Sequence, residues 1–255
     1  MVRRRGDAAC SERDLVALEA PLQVIVDGQP FAVVMRTPGD DLALALGFLF
    51  AERVIRDAAD VSALADEVLP SGVAAVRVGL ATPAEATPGA RATTSSAACG
   101  VCGTRDAASL GMTAAPVTAP LGMTVDAVAA MPGHLRREQS TFDATGGLHA
   151  AALFTPGGVL VDHAEDVGRH NAVDKLIGRA LQGGRLPLSD VALFVSGRTS
   201  FEIVQKAWLA GVPLVAAVSA PSSLAIDLAD QAGITLLGFV RGASCNVYTH
   251  PHRVR

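Results

Sequence analysis

The stretch VALFVSGRTSFEIVQKAWLAGVPLVAAVSAPSSLAIDLADQAGITLLGFV (residues 191–240) decides the architecture. Val191–Val195, Leu214–Val218 and Thr235–Val240 are apolar runs of strand length. Between them lie the helical patterns Ser200–Ala210 and Ser223–Ala232, stopped by Gly211 and Gly233. Apolar strands of about five residues alternating with helices of about eleven predict βαβ units and a parallel sheet. Ligands of such sheets lie outside the carboxyl ends of the strands. Those ends carry Ser196-Gly197-Arg198-Thr199-Ser200, Ser219-Ala220-Pro221-Ser222-Ser223 and Arg241-Gly242-Ala243-Ser244. The first two lead into helix N-termini, whose free N–H groups and positive dipole end favour anions. One such loop alone is more simply a helix cap beside a solvated arginine. Three on one sheet edge suit a phosphate-bearing ligand.

Working outward, Ala150–Phe154 and Val159–Asp162 flank Pro156-Gly157-Gly158, a hairpin signal. Asn171 is placed to cap a helix that Gly183-Gly184 ends. Further upstream, Leu22–Val26 and Phe31–Met35 flank Asp27-Gly28, a second hairpin. Acidic residues then open an apolar helix over Leu42–Val54, and Val73–Leu80 reads as a strand. Met35, Phe48 and Trp208 fall on apolar faces and are read as core. The chain reads as α/β (α+β overall). It divides into a flexible arm (1–14), a small β-rich N-terminal domain of mixed αβ type (15–90), a mobile loop with a CxxC pair (91–115) and a C-terminal α/β domain (116–255). The stretch between the CxxC pair and Ala150 reads as loop-rich.

Composition narrows the function classes. Of 255 residues, 50% are hydrophobic, 18% charged and 4% aromatic, which gives ample material for an aliphatic core and excludes a disordered chain. A net charge of −4 and a pI near 5.8 argue against a general nucleic-acid binder. The longest apolar run, Leu42–Ala51, falls short of the roughly 20 residues of a membrane span. Arg3-Arg4-Arg5 is followed by polar Gly6-Asp7 rather than by an apolar segment, so it does not read as a signal peptide. Cys10, Cys99, Cys102 and Cys245 are too few for a disulfide scaffold, and a cytoplasmic location is expected.

Cys99-Gly-Val-Cys102, between small flexible residues, carries the chemistry. A structural zinc site wants four ligands, and there is no second CxxC or HxxxH. A thioredoxin-like pair belongs at a strand-to-helix junction, whereas this one lies between loops. His163-Ala164-Glu165 matches the H-x-E of zinc deaminases, but there the cysteines follow that motif and here they precede it. An exposed dithiol can also carry sulfur as a persulfide. Glycine N–H groups and Arg105 would favour the thiolate, and the second thiol can release the outer sulfur as the pair closes to a disulfide. Local chemistry alone leaves redox cycling and sulfur transfer level.

Four segments taken together separate them: ACGVCG (98–103), EDVGRHNAVDKLIG (165–178), SGRTSFEIVQKAWLAGVP (196–213) with VSAPSSLAI (218–226), and GFVRG (238–242) before NVYTHPHR (246–253). In this order, over most of residues 20–253, the chain resembles the FdhD family of formate dehydrogenase accessory sulfurtransferases. The resemblance implies a sulfur carrier that takes a persulfide from a cysteine desulfurase. It would pass the sulfur to the molybdenum of bis(molybdopterin guanine dinucleotide), a transient ligand that GDP can mimic, for formate dehydrogenase. It further implies a homodimer, a C-terminal cytidine-deaminase-like fold without zinc chemistry, and no permanently bound cofactor, nucleic acid or membrane partner. A non-catalytic delivery chaperone is the alternative. By motif, Cys99 is the persulfide carrier and Cys102 its partner. Phe239, Val240, Arg241, Gly242, Ala243 and Ser244 fall where the family contacts the guanine dinucleotide. Ser196, Gly197, Arg198, Thr199, Ser200, Ser219 and Ser222 would add anion sites, with Arg169, His170 and Asn171 along the rim. Cys245 stands where a larger apolar residue is expected. Glu165 and Asp166 would repel phosphate and suit a structural or guanine-edge role.

Overall fold

The structure, a computed structural model, describes residues 1–6, 8–82, 94–95 and 114–255. Cys99 and Cys102 lie outside the described residues. In chain order the elements are β1 (Val2–Arg5), β2 (Ala8–Ser11), β3 (Ala20–Val26), β4 (Gln29–Arg36), α1 (Asp41–Ala51), β5 (Val61–Val68), β6 (Ala74–Leu80) and β7 (Thr94–Ser95). There follow α2 (Val125–Glu138), α3 (Ser140–Thr145), β8 (His149–Phe154), β9 (Leu160–Asp166), α4 (Arg169–Gln182), β10 (Ala192–Val195), α5 (Phe201–Leu209), β11 (Leu214–Ala217), α6 (Ser223–Ala232), β12 (Thr235–Arg241) and β13 (Ser244–Thr249).

The βαβ reading of residues 191–240 holds: β10, β11 and β12 pair in parallel, joined by α5 and α6. They form the middle of a six-stranded mixed sheet ordered β13-β12-β11-β10-β8-β9, whose remaining neighbours pair antiparallel. A second sheet is ordered β5-β6-β3-β4-β7. Its β3–β4 hairpin turns through Asp27 (φ 48°) and Gly28 (φ 78°), the left-handed pair that the tight turn needs.

Strand alternation sorts side chains onto the two faces of the six-stranded sheet. Ala150, Ala152, Phe154, Phe194, Leu214 and Ala216 face α2, with Phe154 and Phe194 meeting edge to face at 6.2 Å. Ala151, Leu153, Leu193, Val195, Val215 and Ala217 face the opposite core. That core continues through α4 and α1 to Leu22, Val24, Val76 and Val78 of the second sheet. Helices α1 and α4 therefore lie between two sheets. Two glycines set their spacing. A Cβ on Gly47 would fall 1.9 Å from the Asp174 carbonyl oxygen, and one on Gly178 would fall 1.8 Å from that of Ala43. Trp208 is buried as expected and its Nε1 donates to the Ala115 carbonyl at 2.9 Å, whereas Met35 and Phe48 are half-buried.

Four sequence readings need revision. Residues 1–14, read as an aperiodic arm, include the antiparallel ribbon β1–β2. The stretch read as loop-rich contains α2 and α3. Pro132 and Gly133 sit inside α2 and break the helical signal, yet Val128, Met131 and Leu135 recur on one buried stripe and Thr124 accepts from the Ala127 N–H at 3.1 Å. Asn171 is not the cap of α4: Gly168 is, and Asn171 sits inside the helix with its side chain turned inward. Helix α1 ends at Ala51 rather than Val54, the chain turning off through Arg53 at φ 62°. Among the described residues no helix is long and apolar enough to cross a membrane.

Candidate functional site

The EDVGRHNAVDK segment builds a clasp before it builds a site. Asp166 is fully buried. Its Oδ1 accepts from the Gly168 N–H at 2.8 Å and Asn171 Nδ2 at 2.9 Å, and its Oδ2 accepts from the Thr37 N–H at 3.2 Å. Lys175 Nζ pairs with Oδ2 at 2.8 Å and also donates to the carbonyls of Thr37 and Glu165. Asn171 Nδ2 also reaches the Met35 carbonyl at 2.8 Å. One carboxylate thus ties the β4–α1 turn to the start of α4, with every charge paired as burial demands. Glu165 is equally structural: its carboxylate accepts from the Thr141 and Phe142 N–H groups and caps α3. The repulsion from phosphate expected of these two residues is resolved by structural roles.

A second buried chain of charge joins α4 to α5. Lys206 Nζ pairs with Asp174 Oδ1 at 2.6 Å, and burial pushes the Asp174 carboxyl up while Lys206 pulls it down. His170 Nε2 lies 2.8 Å from Glu202 Oε2 and 3.1 Å from Ser200 Oγ. His170 and Ser200, read as rim residues, therefore spend these atoms on each other and on Glu202. Ser200 makes no side-chain cap on α5.

The sheet edge itself is as the strand order demands. Register places Val195 beside Ala151 and Ala217, so the start of β8 meets the exits of β10 and β11. Ser196 Oγ accepts from the Ala150 N–H at 2.9 Å, and its own proton meets no acceptor among the described residues. Gly197 stands next to His149, whose Nδ1 would lie 3.5 Å from a Cβ placed there. Thr199 bridges to Pro221, and its Oγ1 is buried without a partner among the described residues. Arg198 is exposed. Ser222 caps α6 by accepting from the Ala225 N–H at 3.3 Å, and the Ser219 carbonyl accepts from the Phe239 N–H at 3.2 Å.

The GFVRG segment ends β12 with unusual backbone. A Cβ on Gly238 would come within 2.9 Å of Pro221 and 3.1 Å of the Ser219 oxygen, so only glycine fits. Phe239 follows at φ 51°, a left-handed conformation that costs a bulky residue on the order of 1 kcal/mol or more. It is held there exposed, with the Arg241 guanidinium 5.7 Å from its ring centre. Arg241 Nε donates to the Val218 carbonyl at 3.1 Å, Gly242 turns at φ 56°, and Ser244 Oγ donates to the Arg241 carbonyl. Val240 is buried and Ala243 exposed. Cys245 is half-buried, its thiol pushed up by that burial.

Beside this edge opens a cleft of about 680 Å3, lined by Arg136, Gln139, Phe142, His149, Ser196 and Val218 among others. Sequence reading singled out neither His149 nor Gln139. A histidine at the first position of β8 was the available signal for one. The other came from a helix the pattern had hidden. Burial, then the charges of Arg169 and His170, push the His149 imidazole below its ordinary value and favour its neutral form. Its folded value is depressed, so acidification through the ordinary histidine range withdraws stability that neutral pH supplies.

The fold is that of a mixed α/β protein whose Ser196–Ser200, Ser219–Ser223 and Arg241–Ser244 loops gather at one sheet edge. Comparison with known proteins is specific. The family model FdhD/NarQ matches residues 17–255, and the chain belongs to that family. It is 49% identical to a sulfur carrier protein FdhD of Streptomyces avermitilis, covering all of this chain and 94% of that one. It is 44% identical to a sulfur carrier protein FdhD of Sulfolobus acidocaldarius over 96% of this chain and 92% of that one. A crystal structure from Desulfotalea psychrophila, described as a candidate formate dehydrogenase accessory protein, superposes with a TM-score of 0.80 at 24% identity. It covers all of this chain and 97% of that one, and so shares the fold.

Proposed function

We propose that this chain is a sulfur carrier and sulfurtransferase serving formate dehydrogenase. The observation that carries this reading is membership of the FdhD/NarQ family over residues 17–255 in a chain that also contains ACGVCG at 98–103. A Cys99 thiolate attacks the sulfane sulfur of a cysteine desulfurase persulfide, and the desulfurase leaves as its thiolate. Cys102 then attacks Cys99, forming the disulfide and expelling hydrosulfide, which replaces an oxo ligand of molybdenum with loss of hydroxide. A cytoplasmic thiol reductant resets the pair. The metal arrives as bis(molybdopterin guanine dinucleotide), the protein's substrate, and its pyrophosphates bind along Arg198, Ser222, Arg241 and the free N–H groups of the rim. The homodimer, the N-terminal and C-terminal domains, and a cytidine-deaminase-like likeness in the latter belong to the same reading.

Arg241→Ala is expected to weaken GDP binding about tenfold, the loss of one charge-assisted contact, as measured by titration calorimetry. Unchanged affinity would remove Arg241 from the rim. In cells lacking their own carrier, the wild-type chain is expected to restore formate dehydrogenase activity and a Cys99→Ala/Cys102→Ala double variant to restore none. Full restoration by the double variant would replace the carrier with a delivery chaperone.

A further inference from the structure

The closing NVYTHPHR motif ends in Arg253, only 4% exposed and without a carboxylate partner among the described residues. Its donors go to four neutral oxygens instead. Nε reaches the Ala119 carbonyl at 3.2 Å and one terminal nitrogen the Val117 carbonyl at 3.0 Å. The other terminal nitrogen reaches the Gly233 carbonyl at 2.8 Å and Thr235 Oγ1 at 3.3 Å. A buried charge without a counter-charge is costly. Gly233 caps the C-terminus of α6, where helix carbonyls carry partial negative charge, and this offsets part of the cost.

Two of the four acceptors belong to the stretch by which the chain returns from the CxxC pair. The described chain resumes at Ala114, and residues 114–122 lie in no helix or strand, so individual contacts fix their path. Trp208 Nε1 donates to the Ala115 carbonyl at 2.9 Å, and the Val117 N–H donates to the Ala232 carbonyl at 2.8 Å. A Cβ on Gly233 would fall 2.9 Å from the Val117 oxygen, so the stretch lies directly on the end of α6. The last residues complete the strap: the Met123 N–H donates to the Arg253 carbonyl and the Arg255 N–H to the Met123 carbonyl. Thr235 opens β12, so this anchor stands at the strand starts, the sheet end opposite the Ser196–Ser200 loop. A guanidinium fork spans all these acceptors, whereas a lysine ammonium is a single point.

We infer that Arg253 is a positioning residue for sulfur delivery, fixing the root from which the cysteine segment meets its acceptor. The inference rests on the carrier reading above. Taking sulfur from a diffusing desulfurase, or giving it to a small free acceptor, does not depend on that root. Delivery to a bound cofactor does, because a reacting atom displaced by about 1 Å can cost a factor of about 10².

The test compares full-length wild type, Arg253→Met and Arg253→Lys. Loading is read as the gain of one sulfur from a desulfurase and cysteine. Discharge is read with cyanide, which takes the outer sulfur as thiocyanate and leaves the Cys99 thiolate. Delivery is read as formate dehydrogenase activity restored, per unit of folded carrier, in cells lacking their own. Arg253→Met is expected to load and discharge as wild type does and to restore about tenfold less activity, with Arg253→Lys between. Amide exchange at Val117 should quicken about tenfold while that of β10 and β11 holds. Undiminished restoration by Arg253→Met, or unaltered exchange at Val117, overturns the inference. So does a fall in loading, discharge and restoration together, which marks a role in folding alone. Should Arg253→Met fail to fold, Arg253→Lys is scored against the same outcomes. A wild-type chain that gains no sulfur removes the carrier reading, and the inference with it, which no variant outcome does.

Discussion

Gly178→Ala is expected to destabilise the protein by about 4 kcal/mol, although alanine is the better helix former by roughly 1 kcal/mol. The new Cβ would meet the Ala43 carbonyl oxygen at 1.8 Å, its carbon at 2.6 Å and the Ala43 Cα at 2.9 Å, all backbone atoms of α1 that cannot turn aside. Relief requires α1 and α4 to separate, yet both are packed between two sheets in one continuous core. Overpacking of this kind commonly costs 1–3 kcal/mol, and contact with rigid backbone puts it at about the top of that range or beyond. Gly47→Ala makes the mirror-image collision with Asp174 and should match it. At about 2–4 °C per kcal/mol for a chain of this size, thermal melting should fall by about 10 °C. A melting temperature within about 2 °C of wild type would show that the helices do not pack as described.

Asp166→Ala carries the second large effect. Asp166 takes four donors, and its loss strands the Lys175 ammonium, only 4% exposed, against the Thr37 and Glu165 carbonyls alone. Breaking a buried pair from one side costs about 3–5 kcal/mol, because the surviving charge has lost its solvation and its partner together. Because Asp166 also holds the β4–α1 turn through the Thr37 N–H, the damage should spread to α1. Denaturant unfolding is the measurement. A midpoint unchanged from wild type would mean that the clasp contributes nothing net. Asp166→Asn, which keeps the shape and loses the charge, should fall between.

How much of this was legible in the sequence follows from the range of each signal. Strands and helices from 191 to 240 emerge within a residue or two, since apolar runs and the stop signals Gly211 and Gly233 are local. The Asp27-Gly28 turn is local as well. What stayed hidden depends on distant partners. Pro132 argues locally against a helix, and only the sheet face of Phe154 and Phe194, which receives Met131 and Leu135, makes α2 worthwhile. Asn171 has the chemistry of a cap, but its preferred partners are Asp166 and the Met35 carbonyl, 136 residues upstream. The placement of the Ser196–Ser200, Ser219–Ser223 and Arg241–Ser244 loops was legible because the parallel order of β10, β11 and β12 brings their ends to one sheet edge. Gln139 and His149 were not, because a cleft wall has no sequence signature of its own. The FdhD resemblance, read on four separated segments, agrees with the family match over residues 17–255.

The central claim is that Cys99 carries sulfur. Intact mass spectrometry of the purified chain after incubation with a cysteine desulfurase and cysteine tests it directly. The expected result is a gain of one sulfur atom that dithiothreitol removes, that maps by peptide analysis to residues 99–102, and that is absent from Cys99→Ala. Sulfur uptake persisting in Cys99→Ala, or a wild-type chain that gains no sulfur at all, would contradict it.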